Sequence, residues 1–85
     1  MFSVKNKVVV ITGASQGLGL ATVKRFLEDG ARVTMADVKD CTELADKLGC
    51  DFIKTDVSSE SDVENLMKKT YEKNGPLDVV INNAG

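Results

Sequence analysis

The chain has 85 residues, 42% apolar and 28% charged, and its 11 Lys and Arg against 13 Asp and Glu give a net charge of −2. That length holds one small domain, residues 1–85, with a thin core, since a chain of this size buries only about three-fifths of the surface it exposes when unfolded. The basic residues are scattered apart from Lys24-Arg25 and Lys68-Lys69, which argues against nucleic acid and anionic membrane as partners.

Val8 to Ile11 is far shorter than the roughly 18 apolar residues of a spanning helix or the core of a signal peptide, so an intracellular location is expected. The absence of His excludes a Ser-His-Asp triad and a His-based zinc site within this chain. Cys41 and Cys50 lack the paired spacing of a thiolate metal site, so no metal ligands are expected. They read as reduced packing residues, with a low-pKa thiol at Cys41 as the alternative, since that residue lies near a helix start.

Val8-Val9-Val10-Ile11 is β-branched without alternation, which predicts a central strand covered on both faces. A glycine-rich stretch follows. Leu20, Val23 and Leu27 then fall on one face of a helix that Gly30 ends in a left-handed cap. A second strand is predicted at Val33 to Ala36. The next helix is capped by Asp40, carries Cys41, Leu44, Ala45 and Leu48 on one face, and stops at Gly49.

Phe52 to Thr55 reads as an edge strand because Lys54 lies within it. A third helix starts near Ser58 or Ser59, with Ser61 and Glu64 offering a capping box, and Val63, Leu66, Met67 and Thr70 form its inner face. Gly75-Pro76 ends it. Leu77 to Ile81 is the last strand, followed by Asn82-Asn83-Ala84-Gly85.

This β-α-β-α-β-α-β alternation with right-handed crossovers predicts a Rossmann-type α/β fold, an open parallel sheet of four strands in the order 3-2-1-4 with helices on both faces. Val79, Val80 and Ile81 have the composition of an interior strand but no fifth strand to cover them, with Asp78 as the only charge nearby. The fold is therefore expected to be truncated.

Thr12-Gly13-Ala14-Ser15-Gln16-Gly17-Leu18-Gly19 joins the first strand to the first helix. Gly13 allows a tight turn, Gly17 lets the backbone approach a pyrophosphate, and Gly19 lets the helix pack on the sheet. The helix start offers N–H groups and a partial positive charge to phosphates. Asp37 ends the second strand 18 residues past Gly19, near the spacing of about 20 at which a carboxylate meets the ribose hydroxyls of NAD.

A carboxylate there opposes the 2′-phosphate of NADP, because like charges about 4 Å apart repel by roughly 4 kcal/mol at an effective dielectric near 20. Gln16 stands where a cation would favour that phosphate, so NAD is the expected cofactor. The alternative is a plain loop with a solvated strand end. A phosphate loop of the nucleotide-triphosphatase kind is excluded, since no Lys-Ser or Lys-Thr follows the glycines.

Thr12-Gly13-x-x-x-Gly17-x-Gly19, Asp37, Asp56-Val57 and Asn82-Asn83-Ala84-Gly85 together resemble the short-chain dehydrogenase/reductase family over the whole chain. The runs Gly17-Leu18-Gly19-Leu20-Ala21-Thr22 and Asp56-Val57-Ser58-Ser59-Glu60 look most like its type-2 3-hydroxyacyl-CoA dehydrogenase group. The resemblance implies that Gly13, Ser15, Gln16, Gly17 and Leu18 meet the cofactor's phosphates and adjoining ribose, and that Asp37 meets the adenosine ribose. It implies that Asp56 and Val57 meet adenine, that Asn83, Ala84 and Gly85 line the middle of the cofactor, and that Asn82 ties neighbouring strands. For Asp56 the alternative is an acid that merely leads a helix; for the asparagines it is a structural turn.

Family members interconvert an alcohol and a carbonyl compound with a Tyr, a Lys four residues later, a Ser and commonly an Asn. None has a counterpart here, since the residue four places past Tyr71 is Gly75, and Tyr71 reads as a packing residue. The chain is thus expected to be the NAD-binding N-terminal part of an oxidoreductase, inactive alone, with a small alcohol or ketone substrate only in a full-length form. The other expectation is a non-catalytic module that pairs with a further subunit through its fourth strand. The resemblance admits either cytoplasm or mitochondrion, although Met1-Phe2-Ser3-Val4-Lys5 is not an Arg-rich transit segment.

Overall fold

The computed structural model describes residues 3–83. Its elements run β1 (Val8–Thr12), α1 (Gly17–Glu28), β2 (Arg32–Asp37), α2 (Thr42–Leu48), β3 (Asp51–Lys54), α3 (Glu60–Asn74) and β4 (Val79–Asn82). The strands form one parallel sheet in the order β3-β2-β1-β4, as the alternation of elements predicts. β1 lies in the interior and is buried along its whole length, which is what its unbroken β-branched run requires.

Alternate residues of each strand face opposite sides of the sheet. Val9, Ile11, Val33 and Met35 point one way and form a core with Val23 of α1 and Ala45 of α2. Val10 and Ala36 point the other way, onto Leu66 of α3, with Ile53, Met67 and Leu77 packed around them. Among the described residues, no helix is long and apolar enough to cross a membrane.

The helix ends follow local rules with a few shifts. At the end of α1 the Gly30 N–H donates to the Leu27 carbonyl and the Ala31 N–H to that of Phe26, with Gly30 at φ 86°, the paired closure that glycine makes possible. The cap of α2 is Cys41, not Asp40. Asp40 lies one residue further out, where its carboxylate accepts from the Thr42 N–H at 3.0 Å.

In α3 the cap is Ser59, whose Oγ accepts from the Asp62 N–H at 3.3 Å. The box of Ser61 and Glu64 does not form, because both residues already lie inside the helix. Tyr71 is also corrected: it is 63% exposed, on the outer side of α3, while Leu66 and Thr70 take the inner face.

The two sheet edges differ. β3 is short and its residues are mostly half-buried. Among the described residues β4 pairs only with β1, and Val80 is 49% exposed. Asp78 does more than place a charge at that edge: its carboxylate accepts from the Val8 N–H at 2.8 Å and its own N–H donates to the Val8 carbonyl at 2.9 Å. This doubled link sets the register in which β4 joins β1.

Candidate dinucleotide site

The chain leaves β1 toward β2 and β3 on one side and returns through α3 to β4 on the other. The carboxyl end of β1 is therefore where the direction of winding switches, the place where open α/β sheets form a crevice. The glycine-rich turn lies there. Gly13 and Gly17 both adopt φ 58°, a left-handed backbone that residues with a Cβ rarely take.

Gly19 is needed for a different reason. A Cβ on it would overlap the Gly13 carbonyl oxygen and lie 2.9 Å from its carbon and 3.2 Å from the Ala14 Cα. The close approach is thus between the first turn of α1 and the glycine loop itself, not between helix and sheet. At Gly17 a Cβ would meet open space, so the constraint there is conformational and the backbone stands clear on that side.

The helix cap, Gln16, is extended and makes no side-chain capping bond, and the first turn of α1 holds no acidic residue. Its leading N–H groups and partial positive charge are left unanswered by side chains, as suits a phosphate. Gln16, Gly17 and Leu18 are exposed, Leu18 by 75%.

Asp37 stands at the end of β2 beside this turn. Its Oδ2 accepts from the Ser15 N–H at 3.0 Å and its Oδ1 from the Lys39 N–H at 3.1 Å. Burial pushes its carboxyl upward, but the donors from Lys39, Ser15 and Val38 outweigh burial and hold it below the usual carboxylate value. Asp37 is therefore an ionised acceptor, joined to the glycine turn across 22 residues of sequence.

The Asp37 carbonyl also accepts from the Thr55 N–H at 2.9 Å, which ties the tip of β3 to that of β2. Asp56 and Val57 come next. The Asp56 Oδ1 accepts from the Ser58 N–H at 2.9 Å and the Ser58 hydroxyl at 2.6 Å, which lowers its carboxyl below the usual value. Its N–H donates to Asp62 at 2.9 Å. This is an Asx-type turn leading into α3, and it occupies one carboxylate oxygen. Val57 is 41% exposed and Val38, which the sequence did not single out, 58% exposed. Two apolar side chains thus stand uncovered at neighbouring strand tips, next to an ionised carboxylate.

Across the crevice, the Thr12 hydroxyl donates to the Asn82 Oδ1 at 2.7 Å and accepts from the Asn83 N–H at 3.1 Å. Asn82 joins β4 to β1, as the resemblance implies. The Asn83 Nδ2 is buried and makes no hydrogen bond. Ala84 and Gly85 lie outside the described residues.

The cysteines are free thiols. Cys41 is buried beside the turn, and burial together with the Asp37 charge pushes its thiol up, which rules out the low-pKa alternative. Burial pushes Cys50 up to about 11. Among the described residues no three His, Cys, Asp or Glu side chains gather as metal ligands.

The donor set fits a dinucleotide: an uncapped helix start, a backbone clear at Gly17, an ionised acid and an orphaned buried amide share one end of the sheet. Comparison with known proteins agrees. The tropinone reductase-like 1 protein of Erythroxylum coca is 46% identical over 86 residues, covering 95% of this chain and 31% of that protein. Short chain aldehyde dehydrogenase 1 of Euphorbia lathyris is 41% identical over 87 residues, covering 95% and 30%.

Among solved structures, an active-site complex of Pseudomonas aeruginosa RhlG with NADP superposes with a TM-score of 0.89 at 33% identity, covering 99% of this chain and 36% of that one. The chain spans about a third of the length of these relatives. The family model described as short chain dehydrogenase matches residues 7–85, and the chain belongs to the short-chain dehydrogenase/reductase family.

Proposed function

We propose that this chain is the dinucleotide-binding part of an oxidoreductase that uses NAD to interconvert a secondary alcohol and a ketone. The observation that carries the choice of NAD is the ionised Asp37, held by the Ser15 and Lys39 N–H groups beside the glycine turn. An ionised acid accepts from two ribose hydroxyls and repels a phosphate on either. Gln16 adds no positive charge. The solved RhlG complex holds NADP, and the carboxylate at Asp37 favours the other dinucleotide here.

When bound, the nicotinamide supplies the hydride acceptor or donor. The chain's own residues bind and orient: the N–H groups around Gly17 and Leu18 receive the pyrophosphate, Asp37 the adenosine ribose, and Val57 and Asp56 the adenine. Asp56 keeps its second carboxylate oxygen for the exocyclic amine, since only Oδ1 is engaged by Ser58. Asn83 offers its unpartnered amide toward the middle of the cofactor, followed by Ala84 and Gly85.

Calorimetric titration of the chain with NAD and NADP tests the reading. NAD is expected to bind at least about tenfold more tightly, a difference near 1.4 kcal/mol, and Asp37→Ala is expected to abolish that preference. Equal binding, or tighter binding of NADP, by the unaltered chain would overturn the choice of NAD. Binding of neither by a chain with a native circular dichroism spectrum would overturn the nucleotide role.

A second reading rests on the edge of β4, which among the described residues pairs only with β1 and leaves Val80 half exposed. In it the chain is a non-catalytic module that pairs with a second subunit by strand addition. Light scattering that finds only monomer, alone and mixed with a full-length relative, would remove this reading.

A further inference from the structure

Asp62 begins the stripe of α3 that meets the sheet. It lies one turn before Leu66 and two before Thr70, each of them 1% exposed. Its carboxylate reaches back six residues in the chain, where Oδ2 accepts from the Asp56 N–H at 2.9 Å. Its own N–H donates to the Ser59 Oγ at 3.3 Å. The first turn of α3 is thus tied to the loop that precedes it.

The loop itself is closed by bonds between near neighbours. The Asp56 Oδ1 accepts from the Ser58 N–H and hydroxyl, and the Ser59 N–H donates to the Asp56 carbonyl at 3.0 Å. Such a turn keeps its own shape wherever it points. The bond from Asp62 is of another kind, because it fixes the turn against α3, whose seat on the sheet is set by Leu66 packed with Val10 and Ala36. On the strand side, the Thr55 N–H is held by the Asp37 carbonyl at 2.9 Å. Asp56 therefore stands on a backbone clamped from both β2 and α3, and among the described residues its Oδ2 takes no donor.

A carboxylate that only accepts distinguishes purines by the group at position 6: an exocyclic amine donates to it, and an oxo group repels it. Such a bond weakens steeply as it bends, so the direction of the carboxylate decides the selectivity. We propose that Asp62 is a positioning residue for base recognition: by holding the Asp56 N–H it aims the Asp56 carboxylate at a 6-aminopurine and makes the site reject a 6-oxopurine. This rests on the reading that Asp56 meets adenine, and it names the group that makes that contact selective. A favourable charge at the helix start is a separate matter, since Glu60 also supplies an acid to that turn.

The test is calorimetric titration of the full chain with NAD and with nicotinamide hypoxanthine dinucleotide, which carries an oxo group in place of the amine. The parent is expected to bind NAD at least about tenfold more tightly. Asp62→Ala, which removes the acceptor, is expected to bring that ratio below about threefold. Asp62→Asn keeps an acceptor oxygen and is expected to restore the ratio to within about twofold of the parent. Asp62→Glu keeps the charge at the helix start but displaces the acceptor by a methylene, and is expected to behave like Asp62→Ala.

A parental ratio in Asp62→Ala would overturn the positioning role and leave the adenine reading standing. Weaker binding of both dinucleotides by the same factor counts in the same way, because a merely structural acid has that effect. Equal binding of the two by the parent would overturn the contact between Asp56 and adenine, and the role of Asp62 with it; binding of neither would overturn the nucleotide reading as well. Should Asp62→Ala fail to fold, Asp62→Glu decides, and a parental ratio in that variant overturns the proposal.

Discussion

The two sides of the crevice are built to different standards. On the β2 side, Gly19 presses against the Gly13 carbonyl, the Ser15 N–H is fixed on Asp37, and the Thr55 N–H holds the Asp37 carbonyl. On the β4 side, Thr12, Asn82 and Asn83 form one small cluster, and Val80 beyond it is half exposed. Glycines and one acid thus preorganise the β2 side, where backbone meets backbone. The other side rests, among the described residues, on the pairing of β4 with β1.

The largest effect on this contrast is expected from Gly19→Ala. The new methyl group would strike backbone, which cannot turn aside, so the cost should reach about 3 kcal/mol or more and leave little of a thin-cored domain folded. Thermal melting followed by circular dichroism measures it. A variant melting within a few degrees of the parent would show that the β2 side is less tightly built than its geometry implies.

Asp37→Ala should cost about 1–2 kcal/mol, since it removes an ionised acceptor from two backbone N–H groups at a partly open site. It should also change the response to acid. The folded carboxyl lies below its ordinary value, so its contribution is present above the unfolded pKa near 3.9 and is lost as pH falls through the lower folded value. Urea melts from neutral pH to pH 3 should lose that segment of the profile in the variant, and an unchanged profile would mean that Asp37 is not the group responsible.

On the β4 side, Thr12→Val removes the hydroxyl that joins Asn82 and Asn83 to β1. Water can reach the exposed Asn82, so a loss of about 1 kcal/mol is expected, with amide exchange rising at Asn83 before it rises at Ser15. The smallest change is Val80→Lys, which should alter stability by less than about 0.5 kcal/mol at a half-exposed edge position. Its effect should appear instead as reduced self-association in light scattering, because an edge lysine disfavours pairing with another chain. A large loss of stability would mean that Val80 is part of the core.

Much of the fold was legible because local and global preferences agree. The β-branched run at β1, the left-handed glycines at 30 and 49, and the alternation of strands with amphipathic helices each point to the same parallel sheet. The misplacements share one cause. Asp40, Ser61 and Glu64 fit capping patterns on paper, but Cys41 and Ser59 take those positions because the docked helices begin there. Tyr71 looked apolar enough to pack, but which face of α3 meets the sheet is decided by Leu66 against Val10 and Ala36.

The sequence alone determined the alternation of strands and helices and the spacing between glycine turn and acid, since these follow from residue type and periodicity, and its motifs carried the resemblance to the family. Only the tertiary structure decided that Gly19 meets the glycine loop, that Asp37 holds the Ser15 N–H, that Asp78 sets the register of β4, and that Thr34 is buried without a partner. The last three join groups that are distant in the chain or depend on what covers them, and the first depends on how the loop turns back onto its helix. Hydrophobic period carries no information about which polar groups meet once the helices have docked.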